Sequence, residues 1–236
     1  LKDSIATQKR FLADAAHQLK TPLAGLRMQA DLAQRAGASA DELKKSLEQI
    51  GRSSMRATHT VNQLLALARA ESSGAPVAKQ ACDLSALTME VVKDCLPRAM
   101  DKHIDLGFDD ACDSAGLQGN PTLLKEMVRN LIENALNYTT SSVEHPGVVT
   151  ARVSRNAKNE LVLQVEDSGP GIPVAERERI FEPFHRILGT EADGSGLGLP
   201  IVLEIAHQHG ATVTLHETHP GHNPPGAQFS VVFTRT

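Results

Sequence analysis

Apolar residues recur every seven positions over residues 5–64, in two runs separated by a short polar stretch. The two runs consist of Ile5, Leu12, Leu19, Leu26 and Ala33, followed by Leu43, Ile50, Ala57 and Leu64. Heptad spacing of this kind is typical of helices that pack lengthwise against one another. With Gly37-Ala38-Ser39-Ala40 as the turn, the pattern predicts an antiparallel helical hairpin.

A single hairpin with this pattern cannot enclose both of its apolar seams. Further apolar positions flank the heptad lines, among them Leu23 on the first helix and Leu47 and Val61 on the second. Two copies of the hairpin, paired into a four-helix bundle, would cover these side chains. The sequence therefore predicts a homodimer.

The heptad pattern ends after residue 72. Residues 73–82 contain Gly74 and Pro76, which predict a linker. This linker separates a helical domain, residues 1–72, from a second domain, residues 83–236.

The second domain alternates between helical and strand-like segments. Helices are predicted over 84–100, 121–138 and 197–209, and strands over 148–154, 161–167, 212–217 and 228–234. Asp83 and Asn120 stand where the first two helices need N-caps, and Gly210 follows the third helix as a C-cap. The order predicts an α/β sandwich, with one mixed sheet layered against helices, so the whole chain is α plus α/β.

Composition and charge exclude several classes of partner. The net charge is −4, with no tryptophan and one tyrosine, which disfavours binding to nucleic acid or to an anionic membrane surface. The cysteines Cys82, Cys95 and Cys112 lack metal-ligand spacing and indicate a reduced, cytosolic compartment. No apolar run approaches the roughly 20 residues that span a bilayer.

Two polar motifs of the second domain carry candidate chemistry. Asn130 and Asn134 are four residues apart on a predicted helix and therefore share one face. Asp167 ends a predicted strand and is followed by Gly169 and Gly171. The glycines let a flat ligand approach the backbone, while the carboxylate accepts a hydrogen bond from it.

Glycines also open the last predicted helix, in the motif Gly194-Ser-Gly196-Leu-Gly198, whose free amides suit phosphate. Each motif alone has an ordinary alternative: a polar helix surface, a turn or a helix start. In this order they resemble the N, G1 and G2 boxes of the histidine kinase ATP-binding domain, with Phe181-Glu-Pro-Phe184-His-Arg186 as the F box. The resemblance covers essentially the whole chain and implies a fold of the gyrase and histidine kinase type.

The resemblance also implies a site for ATP and Mg²⁺. Asn134 would coordinate the metal that bridges the phosphates, with Asn130 assisting. Asp167 would bind the adenine amino group, and Tyr138 would stack near the base. A mobile lid over residues 182–196 would carry part of the phosphate site. The other implied nucleotide contacts are Asn137, Gly169, Gly171, Ile172, Phe184, Arg186, Gly194, Gly196, Leu197 and Gly198.

The segment His17-Gln18-Leu-Lys-Thr21-Pro22-Leu resembles the H box of the same family. His17 lies outside the apolar seam and should face solvent, and Pro22 inside a helix predicts a kink. The alternative for His17 is an ordinary solvated histidine. The resemblance implies that a neutral His17 imidazole attacks the γ-phosphoryl group of ATP. The group would then pass to an aspartate on the receiver domain of a response regulator.

The chain departs from the family pattern at two positions. Gln18 stands where most relatives have an acid, so we expect slower autophosphorylation, which Gln18→Glu should relieve. Asn137 stands where many relatives have a base such as lysine, with Arg186 available to compensate. Thr21 is retained and implies phosphatase activity toward the regulator. Because the chain begins at Leu1, we expect a cytoplasmic fragment whose full-length protein reaches the bacterial inner membrane through an upstream segment.

Two rival functions stay open, a gyrase-like ATPase and a non-catalytic dimeric scaffold. Such ATPases place a glutamate four residues before the magnesium asparagine. This chain has Asn130 there. Glu133 is one residue before Asn134 and therefore lies about 100° round the helix from it. The C-terminal histidines are interpreted as solvated side chains rather than metal ligands: His207, His209, His216, His219 and His222. Whether transfer occurs within one subunit or between two is not decided by the pattern.

Overall fold

The computed structural model describes residues 20, 23–34, 39–72, 78–112, 114–187 and 195–234. The chain divides into two compact units, Leu1–Ala68 and Arg69–Thr236. The predicted boundary came slightly later, after residue 72. Within the described ranges, no helix combines the length and apolar character needed to cross a bilayer.

The helical unit contains helix α1 over residues 23–33 and helix α2, Ala40–Ser72. Ser39 and Glu42 form a capping box at the start of α2. The Glu42 backbone N–H donates to Ser39 Oγ at 3.3 Å, and the Ser39 N–H donates to Glu42 Oε2 at 2.8 Å. The backbone N–H and the hydroxyl of Ser39 both donate to the Glu42 carboxylate and lower the pKa of Glu42, with the backbone N–H as the larger cause. The cap begins α2 at the turn that the sequence predicts.

Among the described residues of the helical unit, Leu26 and Ile50 are half-buried, but six large apolar side chains are exposed. They comprise Leu23, Met28, Leu32, Leu43, Leu47 and Val61. The two helices meet where Gly25 lies against Ser53, one of the few buried side chains described in this unit. A stripe of exposed leucine along an amphipathic helix needs a further apolar surface to cover it.

The α/β unit contains, within its described residues, three α-helices and seven strands, besides two short 3-10 helices, Val174–Glu176 and Arg179–Phe181. The helices are α3, Leu84–Asp101, α4, Pro121–Tyr138, and α5, Gly198–Gln208. The strands are β1 (Gln80–Asp83), β2 (Ile104–Ala111), β3 (Gly116–Gly119), β4 (Gly147–Arg155), β5 (Leu161–Asp167), β6 (Ala211–His216) and β7 (Gln228–Phe233).

Five of these strands form one mixed sheet in the order β2-β4-β5-β7-β6. Strand β2 is parallel to β4, and the other neighbours are antiparallel. Strands β1 and β3 form a separate antiparallel pair. Buried side chains alternate along β4, at Val149, Ala151 and Val153, and join those of the helices in one core. The predicted α/β sandwich with a mixed sheet is confirmed.

The predicted helices and the four predicted strands agree with the structure within one or two residues. The caps are also confirmed: Asn120 Oδ1 accepts from the N–H groups of Thr122 and Leu123, and Asp83 Oδ1 accepts from Ala86. Strands β1, β2 and β3 were not predicted. Residues 80–82, assigned by sequence to the linker, belong to β1 because β3 pairs with them.

His209 corrects the interpretation of the C-terminal histidines as solvated. It is only 7% exposed, its Nε2 accepts from the Asn120 N–H at 3.0 Å, and its Nδ1 lies 2.7 Å from Ile205 O. Gly119 creates the space, since a Cβ there would come 3.1 Å from the imidazole Cδ2. Burial lowers the pKa of His209, which ties the end of α5 to the start of α4 in its neutral form.

Candidate functional site

Two asparagine amides lie on one face of α4. Asn130 is 3% exposed, and its Nδ2 donates to Glu126 O at 2.9 Å and to Glu126 Oε1 at 3.2 Å. Asn134, one turn later, is half-buried, and no residue that the structure describes hydrogen-bonds its side chain. Glu126 therefore fixes the first amide, whereas the second keeps its oxygen and nitrogen for a ligand.

The start of α5 lies directly against Asn130. A Cβ at Gly198 would come 3.1 Å from Asn130 Oδ1, so a side chain at this position would crowd the amide. Leu197 is fully buried and anchors the turn, while no side chain among the described residues caps the helix by a hydrogen bond. The first backbone N–H groups of α5 are thus left for an anion beside the α4 amides.

The backbone on either side of residues 188–194 is held together by a hydrogen bond. The Phe184 N–H donates to Gly196 O at 2.8 Å, and both residues have positive φ, 64° and 72°. Phe181 of the F box packs edge-on against the core residue Phe229, with ring centroids 6.4 Å apart. The predicted contact Gly194 lies outside the described residues.

Asp167 ends β5 with its carboxylate buried, at 6% exposure. Its Oδ1 accepts from the N–H groups of Gly169 at 2.8 Å and Ala227 at 3.2 Å. Burial raises the pKa of Asp167 to about 6, although the two amide donors act in the opposite direction. No described residue bonds to Oδ2, so this oxygen is left to accept from a ligand.

The end of α4 lies against the turn that follows Asp167. A Cβ at Gly169 would come 3.0 Å from Tyr138 O, which places the glycine turn against the last residue of α4. Thr139 is also buried, and its Oγ1 has no partner among the described residues. Leaving a buried hydroxyl unpaired costs about 1–3 kcal/mol, so the Thr139 hydroxyl and the open Oδ2 of Asp167 indicate a place for a polar ligand.

The remaining predicted contacts surround this core less directly. Gly171 has φ +73° and packs against Pro225, whereas Ile172 accepts from Arg177 Nε through its carbonyl. Arg186 is exposed. The Asn137 oxygen is already used within the protein, because Oδ1 accepts from Arg98 Nη2 on α3 at 2.8 Å and from Nζ of Lys102, the residue that follows α3, at 3.3 Å.

Sequence reasoning missed several residues that shape the site. Thr218 Oγ1 donates to Asp167 O at 3.0 Å, and Ala227 donates to the carboxylate. Both belong to a segment at least fifty residues later in the chain, and neither carries a motif. Glu126 is different, because its spacing of four before Asn130 on a predicted helix was a usable signal.

The polar groups that are left for a ligand fit an extended nucleotide bound along α4. Thr139 and Asn130 are nine residues apart, about 13 Å of helix, comparable with the span from adenine to the terminal phosphates. An amide oxygen such as that of Asn134 is a hard ligand suited to Mg²⁺. Among the described residues, no cluster of three histidine, cysteine or acidic side chains offers another metal site. His17, Gln18 and Thr21 lie outside the described residues.

Known proteins match this architecture along the chain. A family model described as histidine kinase-, DNA gyrase B- and HSP90-like ATPase matches residues 119–236, and the His Kinase A (phospho-acceptor) domain matches residues 7–73. The sensor protein kinase PmrB of Pseudomonas aeruginosa is 35% identical over 216 residues, 91% of this chain and 44% of PmrB. The chain thus spans less than half of that relative.

Solved structures agree. The mycobacterial sensor histidine kinase MprB superposes with a TM-score of 0.55 at 28% identity, covering 65% of this chain and 97% of that one. The histidine kinase ThkA, solved in complex with the response regulator protein TrrA, has a TM-score of 0.73 at 20% identity, covering 100% and 64%. This chain belongs to the sensor histidine kinase family.

Proposed function

We propose that this chain is the catalytic core of a sensor histidine kinase, which binds ATP and Mg²⁺ in its α/β unit and phosphorylates His17. The observation that carries the proposal is the line of groups left for a ligand along one side of α4. Asp167 Oδ2 and Thr139 Oγ1 lie at one end, Asn134 in the middle, and the uncapped start of α5 at the other.

Each of these groups has a role toward the nucleotide. Asp167 accepts a hydrogen bond from the adenine amino group, and the amides that open α5 hold phosphate oxygens. Asn134 would hold Mg²⁺ through its amide oxygen, and Asn130, fixed by Glu126, lies on the same face of α4. The metal, when bound, neutralises charge on the phosphates.

In the transfer step, the γ-phosphorus of ATP forms a bond to His17 and loses its bond to ADP. The lone pair of an imidazole nitrogen of His17 forms a bond to the γ-phosphorus. The bond to the β–γ bridging oxygen breaks, and ADP leaves with that electron pair. The other ring nitrogen releases its proton to solvent. Positioning of the two reactants accounts for most of the acceleration.

Hydrolysis by the gyrase-like route is less well supported. Position 130 is an amide, which does not accept a proton at neutral pH. Glu133 points toward α3, where its Oε1 lies 3.7 Å from Arg98 Nη1. A carboxylate held by an arginine on that side of α4 is badly placed to activate water at Asn134.

The proposed protein acts as a homodimer with a response regulator as its phosphoryl acceptor. The exposed leucines of α1 and α2 support pairing of two hairpins. The complex of ThkA with TrrA supports a receiver domain as partner. The assignment of residues 1–72 to dimerisation and phosphotransfer, the phosphatase role of Thr21, and the inner-membrane location of the full-length protein are further parts of this proposal.

Radiolabelling tests the transfer. We expect the chain, incubated with γ-³²P-ATP and Mg²⁺, to acquire label that is labile in acid and stable in base, as phosphohistidine is. His17→Ala should abolish the label, whereas the matched variant His207→Ala, at an exposed histidine of α5, should retain it. A chain that binds ATP but stays unlabelled contradicts the proposal.

A mixture of two inactive variants tests the dimer. His17→Ala keeps the nucleotide site, and Asn134→Ala keeps the acceptor. Label that appears only after mixing shows transfer between subunits of a dimer. An unlabelled mixture, with each variant still dimeric, shows transfer within one subunit.

A further inference from the structure

Polar pairs connect α3 to α4 at four successive turns. From the start of α4 onward, they are Lys125 with Glu90, Arg129 with Asp94 at 2.7 Å, Glu133 with Arg98 at 3.7 Å, and Asn137 with Arg98 and Lys102. Partners advance together along both helices, so the two helices run in the same direction. We call these contacts the α3–α4 ladder.

The charges of the ladder change along its length. In the first two pairs, α4 supplies the base and α3 the acid. At the third pair the order reverses, because Glu133 is on α4 and Arg98 is on α3. At the last turn two cations, Arg98 of α3 and Lys102 directly after it, meet the neutral amide of Asn137. This end of the ladder therefore carries more positive than negative charge.

Helix geometry brings the last turn of the ladder toward the nucleotide side of α4. Each step of four residues advances about 40° round the helix, so Asn137 lies about 120° from Lys125. Asn137 follows Asn130 by seven residues and therefore lies within about 20° of it. The first pairs of the ladder face away from the Asn130 and Asn134 side, whereas Asn137 stands on it.

The two cations also fix which way the Asn137 amide points. Arginine and lysine are donors only, so both must bond the amide oxygen. Oδ1 accepts from Arg98 Nη2 at 2.8 Å and Lys102 Nζ at 3.3 Å, and Lys102 is itself held by Leu136 O at 2.8 Å. No residue that the structure describes accepts a bond from Asn137 Nδ2. The amide N–H₂ group is thus held as a donor.

We propose that Arg98 and Lys102 are positioning residues for the nucleotide, which hold Asn137 so that its Nδ2 donates to a phosphate oxygen. Their positive charge also favours the phosphate chain over a neutral nucleoside. This inference rests on the proposed function. The side chains that orient Asn137 toward a phosphate thus come from the last turn of α3 and the residue after it.

Nucleotide affinities separate this role from that of a plain interhelical contact. Binding of ATP, ADP and adenosine to the full chain is measured by isothermal titration for Arg98→Gln, Lys102→Gln and the double variant. We expect the double variant to bind ATP and ADP about tenfold more weakly and adenosine as the wild type does. The matched control Arg129→Gln removes a cation from the same ladder at a turn that faces away, and should leave all three affinities unchanged.

Asn137→Asp gives a second, opposite test. The carboxylate still joins Arg98 and Lys102, so the melting temperature should hold or rise, yet ATP affinity should fall because the N–H₂ donor is lost and a negative charge is added. Wild-type ATP affinity in Asn137→Asp and in the double variant, or an equal loss for adenosine, overturns the inference alone. A wild-type chain that binds no ATP overturns the proposed function with it.

Discussion

The two units of the chain treat their apolar side chains in opposite ways. Every apolar side chain that is buried among the described residues belongs to the α/β unit, from Leu84 to Phe233. Four described leucines of the helical unit are exposed, namely Leu23, Leu32, Leu43 and Leu47, and Leu47 is 63% exposed. Both units contain long amphipathic helices, but in the part of the chain that the structure describes only the α/β unit has a sheet to cover them.

This difference indicates which unit is stable alone. Burying one leucine side chain stabilises a fold by about 1.5–3 kcal/mol, so the exposed stripe of the helical unit leaves several such contributions unused in a single chain. A single copy of the α/β unit already buries its apolar side chains and gains this stabilisation. We therefore expect the unfolding of the α/β unit to be independent of protein concentration and that of the helical unit to depend on it.

The largest effect is expected from a cavity in the α/β core. Leu131 of α4 is fully buried, and Leu131→Ala should lower the free energy of unfolding by about 3–4 kcal/mol. The single tyrosine, Tyr138, lies in this unit, so tyrosine fluorescence during urea unfolding reports on it. The control Leu203→Ala, at a residue of α5 that is 44% exposed, should cost much less. Equal losses would mean that the core is not the source of stability.

The carboxyl group of Asp167 is buried in the α/β unit, where its ionisation opposes folding. Asp167 has its pKa raised to about 6 from 3.8, so folding favours its neutral form. The stability gained from the neutral form is present below pH 3.8 and is lost as the pH rises through about 6. Above pH 6 the ionised carboxylate therefore lowers stability by roughly 2–3 kcal/mol.

Asp167→Asn should raise the free energy of unfolding at pH 8 by up to that amount, because the amide oxygen still accepts from Gly169 and Ala227 without a charge. The gain should shrink toward pH 4, while ATP affinity is lost at both values. Urea unfolding at pH 8 and at pH 4 measures the gain in the free energy of unfolding. The control Asp109→Asn alters an exposed carboxylate paired with Arg152 and should bring no gain. A gain that does not depend on pH would exclude ionisation as its cause.

Local signals were enough to predict most of the fold. The helix that contains the N box shows why: Asn120 caps it, Pro121 begins it, and apolar residues follow at helical spacing. Strand β2 was missed although Ile104, Leu106 and Phe108 alternate, because Gly107 and the aspartates that follow weaken the strand pattern. Its pairing with β4 supplies what local preference lacks.

Partners from distant segments could not be predicted. Asp167 and Asn130 were predicted from short motifs, because the glycines that follow Asp167 and the four-residue spacing of Asn130 and Asn134 are visible in the sequence. The groups that hold them, such as Ala227 on Asp167, act through backbone N–H groups that any residue supplies. His209 was misjudged for a related reason: the space it occupies depends on the absence of a side chain at Gly119, ninety residues earlier.

The smallest effect concerns the exposed stripe of the helical unit and tests the first side of the comparison. A lysine at Leu47 places a charge where a second copy should pack, so Leu47→Lys should raise the dimer dissociation constant at least tenfold, about 1.4 kcal/mol. Sedimentation over a range of concentrations measures the constant. Glu48→Lys adds the same side chain to a neighbouring exposed position and should have a weaker effect. A monomeric wild-type chain would show that something other than a second copy covers these leucines.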